Sequence, residues 1–307
     1  MRILVTGGAG FIGTYLVKFL NESGNSITIF DDFSNSNKHS IQNFEELGIK
    51  IIEGDIRDFK KISNAVKDHD IVIHLAAKIS VVDSIKNPSK TFSVNVEGTK
   101  NVLLSCKKNN IKKIIVSSSA AVYGEGKKNF FINEKTKTNP ISPYGESKTI
   151  MEQEIINFAN KNKINFIILR FFNVYGNGQT KEYAGVITKF SEKIKKNKTI
   201  EIFGDGNQIR DFISISDIIT SISKAIEYSK NGIFNIASGI PTNINELADL
   251  MLKISNKRLN IKYLPQKSGD IEFSLADISL AKEQLQFFPT VSLHDGITEI
   301  LDFRNKF

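Results

Sequence analysis

Apolar residues in the first half of the chain follow two alternating periods. Short, largely β-branched runs at Ile3–Thr6, Ser26–Phe30, Lys50–Glu53, Ile71–His74, Lys113–Ser117 and Asn165–Arg170 are apolar almost throughout, as strands are when helices cover both faces. Between them, Gly10–Ser23, Phe59–Val66, Thr91–Asn109 and Tyr144–Asn162 place apolar residues at helical spacing. Strand–helix–strand alternation predicts an α/β fold built on a doubly wound parallel sheet.

After Arg170 the pattern loosens. Glycines gather at Gly176, Gly178, Gly204 and Gly206, followed by Asp211–Ile215 and a helix near Ser216–Ser229. Ile233–Ile236 reads as one more strand, and shorter helices are expected at Ile244–Ile254 and Leu293–Arg304. Residues 1–170 are therefore expected to form the sheet domain and residues 171–307 a smaller, substrate-binding lobe, with the chain crossing back to the sheet over residues 213–237.

Composition narrows the class. The chain has 307 residues, 40% hydrophobic and 24% charged, with no apolar run near the roughly 18 residues that span a bilayer. Met1-Arg2 runs directly into the first strand, a pattern that predicts no signal peptide. A single cysteine, Cys106, excludes an internal disulfide framework and fits a reducing, cytoplasmic setting; it sits in an apolar helical stretch and is expected to pack inertly. The net charge of +8 comes from 41 basic and 33 acidic residues. Lysines occur as scattered pairs such as Lys60-Lys61 and Lys195-Lys196, with acids between them, which suits a solvated surface better than a nucleic-acid stripe. The positive field would still attract an anionic substrate.

Gly8, Gly10 and Gly13 form G-x-G-x-x-G directly after the first strand and at the opening of the first helix. Glycines there allow the tight turn and the close approach of backbone to a pyrophosphate, while the helix start offers free N–H groups to phosphate. In this context the fold class is Rossmann-type. Asp31 ends the second strand, 18 positions after Gly13, where a carboxylate can accept hydrogen bonds from the adenosine ribose and would repel a 2′-phosphate; Asp32 could share the role. NAD is favoured over NADP. Asp55-Ile56, past the third strand, could flank the adenine, with a plain surface acid the alternative for Asp55.

Tyr144 and Lys148 stand at i and i+4, on one helix face. A free phenol is a poor base at neutral pH, and a nearby ammonium, with a positive nicotinamide ring, is expected to favour the phenolate. The Ser117-Ser118-Ser119 run ends the preceding strand at the carboxyl edge, where such sheets bind ligands, and Ser119 lies 25 residues before Tyr144.

Seven blocks extend the pattern over nearly the whole chain: TGGAGFIG at 6–13, HLAA at 74–77, SSSAAVYG at 117–124, SPYGESK at 142–148, RFFNVYG at 170–176, GDGNQIRDF at 204–212 and GDIEFSLADIS at 269–279. In these blocks the chain resembles an extended short-chain dehydrogenase/reductase of the nucleotide-sugar 4-epimerase type. The resemblance implies NAD contacts at Gly7, Gly10, Phe11, Ile12, Gly13, Asp31, Asp32, Asp55, Ile56, Ala76, Asn95, Ser118, Tyr144 and Lys148. It makes Tyr144 the base for the sugar 4-hydroxyl, Lys148 the residue that holds the nicotinamide ribose, and Ser119 a hydrogen-bond partner of the reacting oxygen. Asn173 and Arg210 match diphosphate-binding positions, with Asp211 able to orient the arginine; Asp270 matches a uridine-ribose contact.

Related 4,6-dehydratases and decarboxylases carry acids where this chain has Ala120 and Ala121, and neither alanine can move a proton. That absence favours 4-epimerisation of a UDP-sugar through a transient 4-keto sugar. Ser274 stands where a bulky tyrosine excludes N-acetylated sugars, so UDP-GlcNAc/UDP-GalNAc are expected alongside UDP-Glc/UDP-Gal. Lys267 departs from the arginine many relatives carry at that diphosphate contact and weakens the case for the nucleotide. The resemblance also implies a homodimer formed through Thr91–Asn109 and Tyr144–Asn162. Another nucleotide-sugar epimerase or reductase, such as a UDP-uronate 4-epimerase, and a non-catalytic NAD-binding regulator remain as rival readings.

Overall fold

The computed structural model describes residues 1–36, 38–128, 130–180, 185–266 and 269–302. Its strands, in chain order, are β1 (Arg2–Thr6), β2 (Ser26–Asp31), β3 (Lys50–Glu53), β4 (Ile71–His74), β5 (Lys113–Ser119), β6 (Asn165–Phe171), β7 (Asn173–Tyr175), β8 (Ile200–Phe203), β9 (Ile209–Ser214), β10 (Gly232–Ile236), β11 (Pro241–Asn243) and β12 (Ile261–Leu264). Seven of them make one sheet in the order β10-β6-β5-β4-β1-β2-β3, with every pairing parallel.

Because side chains alternate across a strand, each strand feeds two cores. Ile3, Val5, Ile73, Ile115 and Leu169 enter one, with Leu16 and Val17 of the helix Phe11–Glu22 and Ile218 and Ile222 of the helix Ile215–Glu227. Leu4, Val72, Ile114, Val116 and Ile168 enter the other, with residues of the helices Phe59–Val66, Thr99–Lys108 and Pro143–Asn162. Cys106 belongs to this second core; burial pushes its thiol up to about 12, so it is a packing residue. The chain leaves β1 toward the first face and returns from β4 over the second. The loops at the carboxyl ends of β1 and β4 therefore part, and a crevice opens between them.

A third apolar cluster lies beyond the sheet, where the helices Val186–Lys195, Ile244–Ser255 and Leu293–Leu301 meet β8. Here β11, β9 and β7 form a small sheet, and β12 pairs with β8. Meanwhile β10 pairs with β6 in the large sheet, so residues 232–236 add to the structure laid down by the first half.

The structure divides one stretch that periodicity reads as a single element. Thr91–Asn109 is in fact the short helix Pro88–Phe92, a wide π-type turn over Ser93–Gly98, and the helix Thr99–Lys108. Asn87 caps the start through Lys90 N, and the wide turn carries Asn95 into the interior. Gly98 packs so closely on Ile56 that an added Cβ would sit 2.5 Å from Ile56 Cδ1. The final helix spans Leu293–Leu301, and the expected end at Arg304 lies outside the described residues. Short elements such as the helix Val81–Lys86 and strands β7, β11 and β12 offer too few turns for a period to register.

Phe234 is fully buried in the first core and meets Tyr228 edge-on at 5.5 Å. Phe234→Ala should cost about 3–5 kcal/mol, measured by denaturant unfolding. Phe19→Ala, on the 39% exposed face of the first helix, should cost less than about 1 kcal/mol. Equal losses at the two positions would contradict this core assignment.

Candidate active site

The crevice at the ends of β1 and β4 is a cavity of about 420 Å³, within the range of small-molecule sites. Its floor is the glycine turn. Gly7 has φ +71, and an added Cβ would lie 2.6 Å from Ala76 N, so the turn is closed against the end of β4. A Cβ on Gly13 would collide with the Gly7 carbonyl oxygen. Gly10 precedes the helix Phe11–Glu22 without a side-chain cap, which leaves first-turn N–H groups for an anion.

Asp31 closes β2 at the cavity wall. Its carboxylate accepts from Ala9 N and from Phe33 N, both at 2.9 Å. Burial raises its pKa against these two hydrogen bonds. Asp32 also lines the cavity and accepts from Ser34 N. Asp55 and Ile56 complete this end, but Asp55 is not a bare acid, since Arg57 bonds both of its oxygens and lowers its pKa.

The opposite end is formed by β5 and the helix Pro143–Asn162. Pro143 in the first turn and a Ser142 hydroxyl accepting from Gly145 N start that helix cleanly. Gly145 has no room for a side chain beside the Ala121 carbonyl oxygen, so the helix sits hard on the β5 end. Tyr144 and Lys148 are 8% and 3% exposed and line the cavity with Ser118 and Ser119. Ser119 is the polar neighbour that lowers the Tyr144 pKa against burial, while Lys148 Nζ donates to Ser117 O at 2.9 Å.

The electrostatics differ from the expectation of a phenol lowered by its lysine. Burial raises the Tyr144 pKa, and Ser119 provides the opposing pull. Burial also brings Lys148 down to about 8, against the attraction of Glu152. Desolvation outweighs local charge at both groups because both are packed beneath the sheet edge.

Gly7, Gly10, Phe11, Ile12, Gly13, Asp31, Asp32, Asp55, Ile56, Ala76, Ser118, Ser119, Tyr144, Lys148 and Asn173 share this one cavity. Asn95 stands behind the wall. Its carboxamide holds Lys78 N and O and donates to Ser147 Oγ, and the residue is fully buried.

Arg210, Asp270 and Ser274 form a separate group on β9 and the neighbouring 270–277 segment. Arg210 Nη2 meets Asp270 Oδ1 at 2.6 Å, and Ser274, 7% exposed, donates its backbone N–H to Ile209 O. Burial lowers the Arg210 pKa against the pull of Asp270. Asn173 links the two groups, lining the cavity while its amide donates to Asp211 O. The Asp211 side chain does not orient Arg210. It accepts from Ser238 N and Oγ, Gly239 N and Ala276 N, and so ties the 238–239 turn to the 270–277 segment. Lys267 lies outside the described residues.

Lys78, Gln179 and Thr180 also line the cavity, and sequence reasoning does not single them out. Lys78, whose Nζ donates to Ser34 Oγ at 2.9 Å, directly follows the HLAA block, and a cation at that strand end is a readable signal. Gln179 and Thr180 sit in an aperiodic loop that carries none.

A glycine turn, a buried acid at the end of β2 and a serine–tyrosine–lysine set in one crevice define a nicotinamide-dependent enzyme of Rossmann type. The chain belongs to the NAD-dependent epimerase/dehydratase family, whose model matches residues 3–237. It is 39% identical over 306 residues to a putative UDP-glucose 4-epimerase of Methanocaldococcus jannaschii, covering 98% of this chain and 97% of that protein. Among solved structures, it is similar to UDP-glucose 4-epimerase of Thermotoga maritima with UDP-glucose, with a TM-score of 0.94, 33% identity, and 99% and 98% of the two chains covered. It is also similar to UDP-N-acetylglucosamine 4-epimerase of Methanobrevibacter ruminantium M1 in complex with UDP-N-acetylmuramic acid, with a TM-score of 0.93, 34% identity, and 99% and 97% covered.

NAD fits the residues present: the glycine turn would take its pyrophosphate and Asp31 its ribose. Asp31→Asn should weaken NAD binding roughly 10- to 100-fold by calorimetry, the loss of a charge-assisted hydrogen bond. Because burial raises the Asp31 pKa, wild-type affinity should fall with acid at a higher pH than for an ordinary carboxylate. Unchanged affinity in the variant would remove Asp31 from the site.

Proposed function

We propose that this chain interconverts the C4 epimers of a UDP-sugar, oxidising carbon 4 and returning the hydride to the other face. The observation that carries the reading is the joint placement of Ser119, Tyr144 and Lys148 on one cavity wall, beside Ala120 and Ala121, with the glycine turn on the same cavity. When bound, NAD supplies the hydride acceptor and donor. Tyr144 takes the 4-hydroxyl proton, and Ser119, the phenol's polar neighbour on the same cavity wall, steadies the same oxygen. Lys148 holds a positive charge at neutral pH behind the strand end and favours the phenolate that burial opposes. The alanines offer no acid or base for elimination, so the 4-keto sugar has only hydride return open to it.

Arg210 and Asn173 are the proposed diphosphate contacts and Asp270 the ribose contact. The paired Arg210 and Asp270 already stand within one hydrogen bond of each other. A planar guanidinium suits a diphosphate oxygen, and Asp270 would exchange one partner for another as the nucleotide enters. The reading extends to a 2-acetamido group because Ser274, next to this pair, is a small side chain at the position where a tyrosine would exclude N-acetylated sugars. The proposal includes a homodimer, and a sedimentation mass of one chain would remove that part.

Incubation with UDP-, GDP-, dTDP- and CDP-sugars, with products separated by chromatography, should show conversion of UDP-Glc/UDP-Gal and UDP-GlcNAc/UDP-GalNAc without accumulation of free NADH. Stoichiometric NADH in solution would indicate a dehydrogenase, and no conversion of the N-acetylated pair would reject the role given to Ser274. Tyr144→Phe should lower kcat by about 10²–10⁴-fold while NAD stays bound. Full activity in that variant would eliminate the mechanism.

A further inference from the structure

Three successive turns of the helix Pro143–Asn162 meet three consecutive serines of β5. Tyr144 faces Ser119 across the cavity wall, Lys148 donates to the Ser117 carbonyl oxygen, and Glu152 accepts from Ser118 Oγ at 2.5 Å. Residues 144, 148 and 152 lie at i, i+4 and i+8 on one face of the helix. Two of these contacts carry the proposed chemistry. The third joins the same two elements from behind, through a carboxylate that is 3% exposed.

Glu152 is anchored in turn. Arg170 grips it with Nε to Oε1 at 2.9 Å and Nη2 to Oε2 at 2.6 Å. Arg170 Nη1 donates to Tyr123 Oη at 2.7 Å, and that phenol donates to Asn235 Oδ1 at 2.6 Å. Ser118, Arg170 and Asn235 are register partners across β5, β6 and β10, so this polar row crosses three strands at the carboxyl edge. A buried ion pair is weak evidence for stability, because apolar replacements of similar volume often hold a fold as well. Its position directly behind the serines is what calls for a role.

We propose that Glu152 is a positioning residue, which pins the Ser117–Ser119 strand end to the helix that carries Tyr144 and Lys148. This rests on the 4-epimerase reading. The groups facing Glu152 are Lys148 on its own helix, Arg170 on β6, and Ser118 and Tyr123 on and after β5; Glu134 lies beyond, against Asn235 and Arg170. Lys148 also faces His74, which burial brings down to about 3 and keeps neutral. Without the pin, Ser119 loosens from Tyr144, whose pKa rises. Without the anion, Lys148 gives up its proton at a lower pH. Both changes shrink the fraction of molecules that hold phenolate and ammonium together.

The test compares two double variants of the full chain loaded with NAD. Glu152→Leu with Arg170→Met removes pin and charges together at unchanged net charge, and should melt near wild type. Its kcat should fall about 10- to 100-fold, the scale of a small misplacement, with KM within about threefold. Glu152→Gln with Arg170→Met restores an acceptor to Ser118 and should recover part of kcat. A folded Leu/Met variant with wild-type kcat, or equal kcat in the two doubles, would overturn the proposal. If wild type converts no UDP-sugar, the functional reading fails and the brace is still decided by titrating the Tyr144 phenol. That transition, read as the ultraviolet difference against Tyr144→Phe, should move to higher pH in the Leu/Met variant, and an unchanged transition would sink the brace.

Discussion

The seating of one helix against one strand end sets the terms for everything else in this molecule. Pro143–Asn162 approaches β5 as closely as Gly145 permits, and it brings a phenol and an ammonium to serine partners that the sheet already holds in register. The parallel sheet makes this possible. Its strands end together, and its crevice opens between β1 and β4, beside β5, so the dinucleotide turn and the chemical set share one cavity.

Desolvation is the force that the site must work against. Tyr144 is pushed away from the phenolate by burial, and Lys148 away from the ammonium. Each is opposed by one named neighbour, Ser119 in the first case and Glu152 in the second. At the other end of the cavity Asp31 has the same arrangement, a buried carboxylate stabilised by two backbone amides. Burial raises the cost of charge and also strengthens each interaction that offsets it, which is how a sheet edge can hold several tuned groups within one small space.

Much of the sheet was readable in the sequence because buried parallel strands leave continuous apolar runs and their helices leave a helical period. Both signals are strong between Ile3 and Arg170. The glycine turn and the Tyr144–Lys148 pair were equally legible, since their spacing is local. Contacts made over long separations were not. Nothing in the local pattern around Asp211 shows that its carboxylate is occupied by Ser238, Gly239 and Ala276. Asn95 shows the same limit, as its inward turn lies in a wide helical segment that meets distant partners, Gly98 against Ile56 and the Asn95 carboxamide on the Lys78 backbone. The glutamate behind Lys148 has the i+4 spacing of an ordinary surface pair, and only the folded sheet shows that Ser118 and Arg170 converge on it.

The late return of β10 to the sheet has a practical bearing on dissection of the chain. A fragment stopped after β6 would lose Asn235 and Phe234, and it would leave the N–H and C=O groups along one side of β6 without their parallel partner. An unpaired edge of that length, flanked by Phe166, Ile168 and their neighbours, is a template for self-association. Pieces cut at the apparent end of the first half should be expected to clump, because the strand that covers this edge is translated only after β7, β8 and β9.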